Sequence, residues 1–315
     1  MELRPLGRSD LRVPPLCFGC NIFGWTVDEP TSFRLLDALL DEGLTFLDTA
    51  DVYSRWAPGH QGGESEAIIG RWMKERRVRD RMVVATKVGM DMGEGRVGLK
   101  PAYIEQAVEA SLRRLQTDRI DLYQSHKDDP DTPQAETLEA YRRLIEAGKV
   151  RVIGASNFSA ERLQEALDLA DGGLPRYESL QPEYNLYERA GFEGPLERVC
   201  RENDLGVIPY FSLAAGFLTG KYRSEADYGK SARGARSIPK YMNERGMRVL
   251  AALDKVAAAH GVEPASVALA WLMRKPAVTA PIASATSPEQ LKTLVAATRV
   301  RLSDEDMREL DATGP

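Results

Sequence analysis

Cysteine and histidine are scarce in this 315-residue chain, with three of each, and the cysteines fall at positions 17, 20 and 200. Cys17 and Cys20 make a C-x-x-C pair, but no second cysteine or histidine cluster stands near enough to complete a metal shell. No metal is therefore expected, and the pair reads as two thiols packed at a strand end in a reducing compartment. Long apolar runs are also missing. The longest, Val267 to Met273, has seven residues, against about 20 for a membrane span. The opening MELRPLGRSD is too polar for a secretory signal, so a cytoplasmic chain with no membrane partner is expected. Positive charge is not in excess. The 42 Lys and Arg face 47 Asp and Glu, a net charge of −5, which argues against nucleic acid as a partner. With 43% apolar residues, the chain can bury most of its surface, which excludes a disordered or collagen-like protein. No linker, low-complexity tract or tandem repeat divides it, so residues 1–315 are expected to form one domain.

What is present is an alternation of short apolar runs with amphipathic stretches. Strands are expected at 16–19, 44–48, 82–86, 120–124, 151–154, 178–182, 206–209 and 278–282. The first helix is expected to start at an Asp28 cap, bury Phe33, Leu36, Leu39 and Leu40, and end at Gly43. Further helices are expected at 64–74, from Pro101, through Leu138 to Gly148, and at 160–169, 192–203, 243–260, 288–298 and 304–310. Eight strands alternating with helices in about 300 residues imply an α/β fold, a single (β/α)8 TIM barrel. A hairpin of residues 2–6 and 12–14 is expected across its bottom, and a long loop, 211–241, after the seventh strand. Loops of that length are usually lids or binding loops.

Barrel active sites sit where strands end. The second strand ends at Asp48 in LDTADVYS, with Tyr53 five residues on, the third runs into Lys87 in ATKVG, and the fourth into His126 in YQSHK. Singly, these residues read as a cap, a loop aromatic, a rim amine and a structural imidazole. Together, at three successive strand ends, they put an acid, a phenol, an amine and an imidazole in one mouth. No G-x-G-x-x-G follows a strand, so a Rossmann dinucleotide site is not expected.

In its motifs LDTADVY, ATKVG, QSHK, GASNFS, QPEYNLYER and LAAGFLTGKY, in that order, the chain resembles the aldo-keto reductases over nearly its whole length. The stretch YSRWAPGHQGGESEAIIGRW resembles the bacterial branch related to potassium-channel β subunits. The resemblance implies a nicotinamide cofactor, reversible carbonyl reduction and a catalytic tetrad of Asp48, Tyr53, Lys87 and His126. In that chemistry, hydride reaches the carbonyl carbon and the oxygen needs a proton. Tyr53 would supply it, Lys87 would lower the Tyr53 pKa, Asp48 would hold Lys87, and His126 would orient the carbonyl.

The resemblance also gives Ser156, Asn157 and Gln181 the nicotinamide carboxamide, Tyr210 the face of its ring, and Ser212, Leu213, Gly216 and Lys221 the pyrophosphate. In the loop, Lys230, Arg233, Arg236 and Lys240 read either as a solvated face or as a phosphate clamp with Arg236 foremost. At the adenine end, Ser284, Thr286 and Gln290 keep polar contacts, but Ala283 and Ser284 stand where Pro and Gly are common, and no basic residue lies between Pro281 and Leu291. NADP (as NADPH) is the expected cofactor and NAD remains open. The substrate is expected to be a small-molecule carbonyl or alcohol. Trp25, Trp56 and Phe23 read either as its apolar or sugar-stacking wall or as loop packing. Two other readings remain: a nucleotide-binding redox sensor with slow turnover, and a lyase using Lys87 as a Schiff-base amine. Whether the chain is a monomer or a homo-oligomer stays open.

Overall fold

The computed structural model describes residues 2–231 and 234–314. Arg233 lies outside the described residues. The chain opens with an antiparallel hairpin, β1 (Arg4–Pro5) and β2 (Arg12–Val13), paired Arg4 to Val13. Gly7 in its turn has φ 60°, and a Cβ there would stand 2.3 Å from the Glu178 carbonyl oxygen, so only glycine fits. Eight parallel strands follow: β3 (Cys17–Gly19), β4 (Phe46–Asp48), β5 (Val83–Val88), β6 (Ile120–Ser125), β7 (Val150–Ser156), β8 (Tyr177–Gln181), β9 (Gly206–Val207) and β10 (Ile282–Ala283). Their spatial order is β10-β3-β4-β5-β6-β7-β8-β9. A bridge from Val207 to Val278 and an Ile282 N–H donating to the Pro209 carbonyl at 2.9 Å join the two ends and close the TIM barrel.

Two apolar layers result. Inside, Phe46, Ala85, Leu122, Val152, Ile208 and Ile282 meet Leu6, Leu11 and Val13 of the hairpin segment, which plugs the bottom. Outside, the helices cover the strands in one larger cluster.

Four expectations are corrected. The first helix, Glu29–Asp41, does start from an Asp28 cap that accepts from the Thr31 N–H at 2.9 Å, but its buried stripe includes Leu35, while Phe33 and Leu40 are half-buried. The eighth strand begins at Ile282 rather than Val278, because Pro281 has no N–H for a ladder. An unexpected helix, Pro264–Arg274, packs against helices Glu244–His260 and Pro288–Ala297. The long segment after β9 is not irregular throughout. It holds short helical turns at Ala214–Thr219, Glu225–Lys230, Gly234–Ser237 and Pro239–Tyr241. The helices Glu244–His260 and Pro264–Arg274 are apolar enough together to mimic a span, but they bend by 95° and no single described helix passes.

Candidate active site

Strand register builds the site. Lys87 pairs with Gln124 and Gln124 with Gly154, two residues above the apolar layer of Ala85, Leu122 and Val152. Side chains alternate faces along a strand, so Asp48, Lys87 and Gln124 all turn into the barrel one layer nearer the mouth. Gly154 leaves room there, since a Cβ would stand 2.4 Å from Ser179 Oγ and 3.2 Å from Gln124 Cγ.

Lys87, fully buried, donates from Nζ to Asp48 Oδ2 at 2.5 Å, to the Thr49 carbonyl at 2.8 Å and to Tyr53 Oη at 2.8 Å. All three ammonium donors are used. The Tyr53 hydroxyl in turn donates to Asp48 Oδ2 at 3.3 Å. The other oxygen, Asp48 Oδ1, accepts from Gln181 Nε2 at 2.7 Å and Gln124 Nε2 at 3.3 Å. A buried ion pair is tolerable only when its remaining lone pairs are met in this way. The His126 ring lies 6.0 Å from the Tyr53 ring, edge to face, and its Nδ1 has no partner among the described residues. Burial, then the charges of Lys87 and Lys127, push its pKa well below the usual histidine value, so the imidazole is neutral.

Lys87 favours the Tyr53 phenolate, but in the resting site it is outweighed. Burial first, then the Asp48 carboxylate through its charge and its hydrogen bond, raise the phenol well above its ordinary value. Tyr53 therefore rests protonated, the state a proton donor needs.

The rim carries the groups assigned to a nicotinamide dinucleotide. Tyr210 Oη donates to Asn157 Oδ1 at 2.8 Å, Asn157 Nδ2 donates to the His126 carbonyl at 2.9 Å, and Ser156 Oγ donates to the Gln181 carbonyl at 2.8 Å. Asn157 has φ 57°, which turns the chain out of β7. Gln181 sits deeper than expected, 2% exposed, with its amide donating to Asp48 and to Gln124 Oε1 at 3.1 Å. The first bond helps to hold Asp48 in place. Ser212 Oγ is tied to the Pro209 carbonyl at 3.0 Å, and the Leu213 side chain packs on the outer core. Ala214, Ala215 and Gly216 follow with φ of 48°, 55° and 97°. Consecutive left-handed residues cost energy when two are alanine. The Ala214 N–H donates to the Phe211 carbonyl at 2.6 Å and the Gly216 N–H to the Leu213 carbonyl at 2.8 Å, while a Cβ on Gly216 would stand 3.6 Å from Lys221 Nζ. The Lys221 ammonium beside this turn suits a phosphate.

Other expected contacts are engaged within the protein itself. Ser284 Oγ donates to the Gly19 carbonyl at 2.6 Å and so stitches β10 to β3, while Thr286 N–H donates to Gln290 Oε1 at 2.9 Å. The proposed clamp is largely spent: Lys230 pairs with Asp227 at 2.7 Å and Lys240 with Glu188 at 3.0 Å, leaving Arg236 exposed. Phe23 is fully buried and is core, not wall. Trp25 and Trp56 do form an edge-to-face pair, centroids 5.6 Å apart, with Trp56 48% exposed and 6.0 Å from the Tyr53 ring. Cys17 and Cys20 are buried free thiols with pKa values raised by burial. Among the described residues no group of acids, histidines and cysteines is placed to hold a metal. Gln124 was missed by sequence reasoning, although its place two residues before His126 on an inward-facing register could have revealed it.

Comparison with known proteins agrees with this geometry. A sequence model of the Aldo/keto reductase family matches residues 15–314. The uncharacterized oxidoreductase YrpG of Bacillus subtilis is 37% identical, over 100% of this chain and 96% of its own. The aldo-keto reductase YhdN of the same organism is 36% identical, over 93% of this chain and 86% of its own. The aldo-keto reductase yakc [NADP(+)] of Schizosaccharomyces pombe is 32% identical, over 95% of this chain and 87% of its own. With a closed barrel, a buried Asp–Lys–Tyr cluster at its mouth and matches over nearly its whole length, the chain belongs to the aldo/keto reductase family.

Proposed function

We propose that the protein reduces aldehyde, ketone or sugar-derived carbonyls, reversibly, with a nicotinamide dinucleotide as hydride source and Tyr53 as general acid. The observation that carries this reading is the contact of one buried ammonium with both a phenol and a carboxylate, Lys87 Nζ to Tyr53 Oη at 2.8 Å and to Asp48 Oδ2 at 2.5 Å. When bound, the dinucleotide supplies hydride to the carbonyl carbon. Tyr53 meets the negative charge that develops on oxygen and passes its proton there. Lys87 lowers the energy of the phenolate left behind, an electrostatic effect strengthened by burial. Asp48, held by Gln181 and Gln124, keeps Lys87 charged and aimed. Neutral His126 offers an N–H to the same oxygen and fixes the carbonyl plane. Trp25 and Trp56 give the substrate an apolar face.

NADPH is the proposed cofactor, in line with the NADP(+) in the name of the S. pombe relative. Arg236 is the one described cation of the loop clamp left to meet a 2′-phosphate. Matched assays with NADPH and NADH test this, and a strong preference for NADH would discard it.

The decisive experiment is Tyr53→Phe. Turnover on a carbonyl panel should fall by about a hundredfold or more, while dinucleotide binding, read by fluorescence titration, stays within about twofold. Near-wild-type turnover would remove Tyr53 as the acid. Tight dinucleotide binding with no turnover across the panel would favour a redox sensor, and a borohydride-trapped adduct on Lys87 would favour a lyase.

A further inference from the structure

Asp51 stands between Asp48 and Tyr53 in sequence yet takes no part in the tetrad's hydrogen bonds. It is 2% exposed, and its Oδ1 has no partner among the described residues. Its backbone N–H reaches the Lys87 carbonyl at 3.4 Å, so it is tied to the strand that carries the ammonium. The Val52 N–H donates to the carboxyl, and a buried carboxylate with so few donors is costly unless a cation answers it.

The groups that act on it are Glu66 from helix Glu64–Arg76, Arg114 and Tyr103 from helix Pro101–Leu115, Lys87 from β5 and Tyr123 from β6. Both cations are committed elsewhere. Arg114 Nε donates to Glu66 Oε2 at 2.6 Å, and Arg114 Nη2 to Ser111 Oγ at 3.2 Å. Lys87 has spent its three donors on Asp48, Thr49 and Tyr53. Glu66 repels, and Tyr123 Oη is itself unpartnered. Burial, then Glu66, push the Asp51 carboxyl up to about 8.

We infer that Asp51 is a positioning residue of the reduction, a buried carboxyl kept protonated beside the Lys87–Tyr53 pair, whose ionisation sets a second negative charge against Lys87 and slows turnover. This rests on the reading of Tyr53 as acid. The step is loss of the carboxyl proton to solvent hydroxide, which becomes water. The resulting charge competes with Tyr53 for the field of Lys87, so the phenolate left by proton transfer is less stabilised.

The test measures kcat/KM with NADPH and 4-nitrobenzaldehyde from about pH 6 to about pH 10, in wild type, Asp51→Asn and Glu66→Gln. Wild type should lose about tenfold or more between about pH 7 and about pH 9.5, with its midpoint near pH 8 and the loss in kcat rather than KM. Asn keeps the shape of the neutral acid and cannot ionise, so the Asp51→Asn ratio should be under about twofold. Glu66→Gln removes the repelling charge and should move the midpoint about one unit toward acid. An alkaline fall of the same size and midpoint in Asp51→Asn would overturn the proposal. Carbon-13 spectra of aspartate-labelled wild type provide a readout independent of turnover and of variant folding. A carboxyl titrating near pH 8 is expected there, and spectra with every aspartate ionised by about pH 5 would overturn it. If Tyr53→Phe keeps full turnover, the parent reading falls. If Tyr53→Phe is inactive while Asp51→Asn keeps the alkaline fall, only the role of Asp51 falls.

Discussion

At the scale of the residue, this site works by denying side chains their solution chemistry. His126 is neutral because burial and two lysines oppose its protonation, while in the unfolded chain it takes up a proton near the ordinary value of about 6.5. The unfolded state therefore binds more protons below that value, and stability is lost as pH falls through it. Wild type should lose about 1–2 kcal/mol between about pH 7 and about pH 5, and His126→Asn correspondingly less, as read by urea unfolding at the two pH values. An identical loss in both proteins would mean that His126 protonates freely in the fold. That an acid, a phenol, an amine and an imidazole come together was legible in sequence from their place at or near strand ends. The direction of the Tyr53 shift was not. It depends on whether one ammonium outweighs burial and a carboxylate, and that balance is set by distances.

At the scale of the element, helix Glu64–Arg76 shows how the outer layer is positioned. Gly70 sits in its middle, and a Cβ there would stand 2.3 Å from the Arg114 carbonyl oxygen and 2.6 Å from the Leu115 carbonyl carbon. Alanine would gain about 1 kcal/mol of helix propensity but would force two backbones apart. Gly70→Ala should destabilise the protein by about 1–3 kcal/mol, read by thermal or denaturant unfolding. A stabilised variant would show that the two helices do not pack this closely. Elements with one buried face and a cap were legible, as Asn243 shows by accepting from the Gly246 N–H at the start of helix Glu244–His260. Helix Pro264–Arg274 was not. Ala265 to Leu272 are all buried, so no polar face marks the helical period.

At the scale of the whole molecule, the barrel separates stability from chemistry. The hairpin segment buries Leu6, Leu11 and Val13 against the inner layer at one end, while Asp48, Lys87 and Tyr53 gather at the other. Leu6→Ala should therefore cost about 2–5 kcal/mol of stability, with kcat changed by less than about twofold in the folded fraction. A large drop in kcat measured well below the melting transition would show that the two ends are coupled.

The sequence alone determined the alternation of strands and helices, the barrel it implies, and the four side chains expected at its mouth. Each of these is written in local order, either as the period of apolar residues or as a place at or shortly beyond a strand end. Only the tertiary structure decided that Gln181 and Gln124 hold Asp48, that Lys230 and Lys240 are already paired, and that Asp51 is buried with one carboxyl oxygen unpartnered among the described residues. Those facts join residues as far as 133 positions apart, and they follow from how the strands register and close into a barrel.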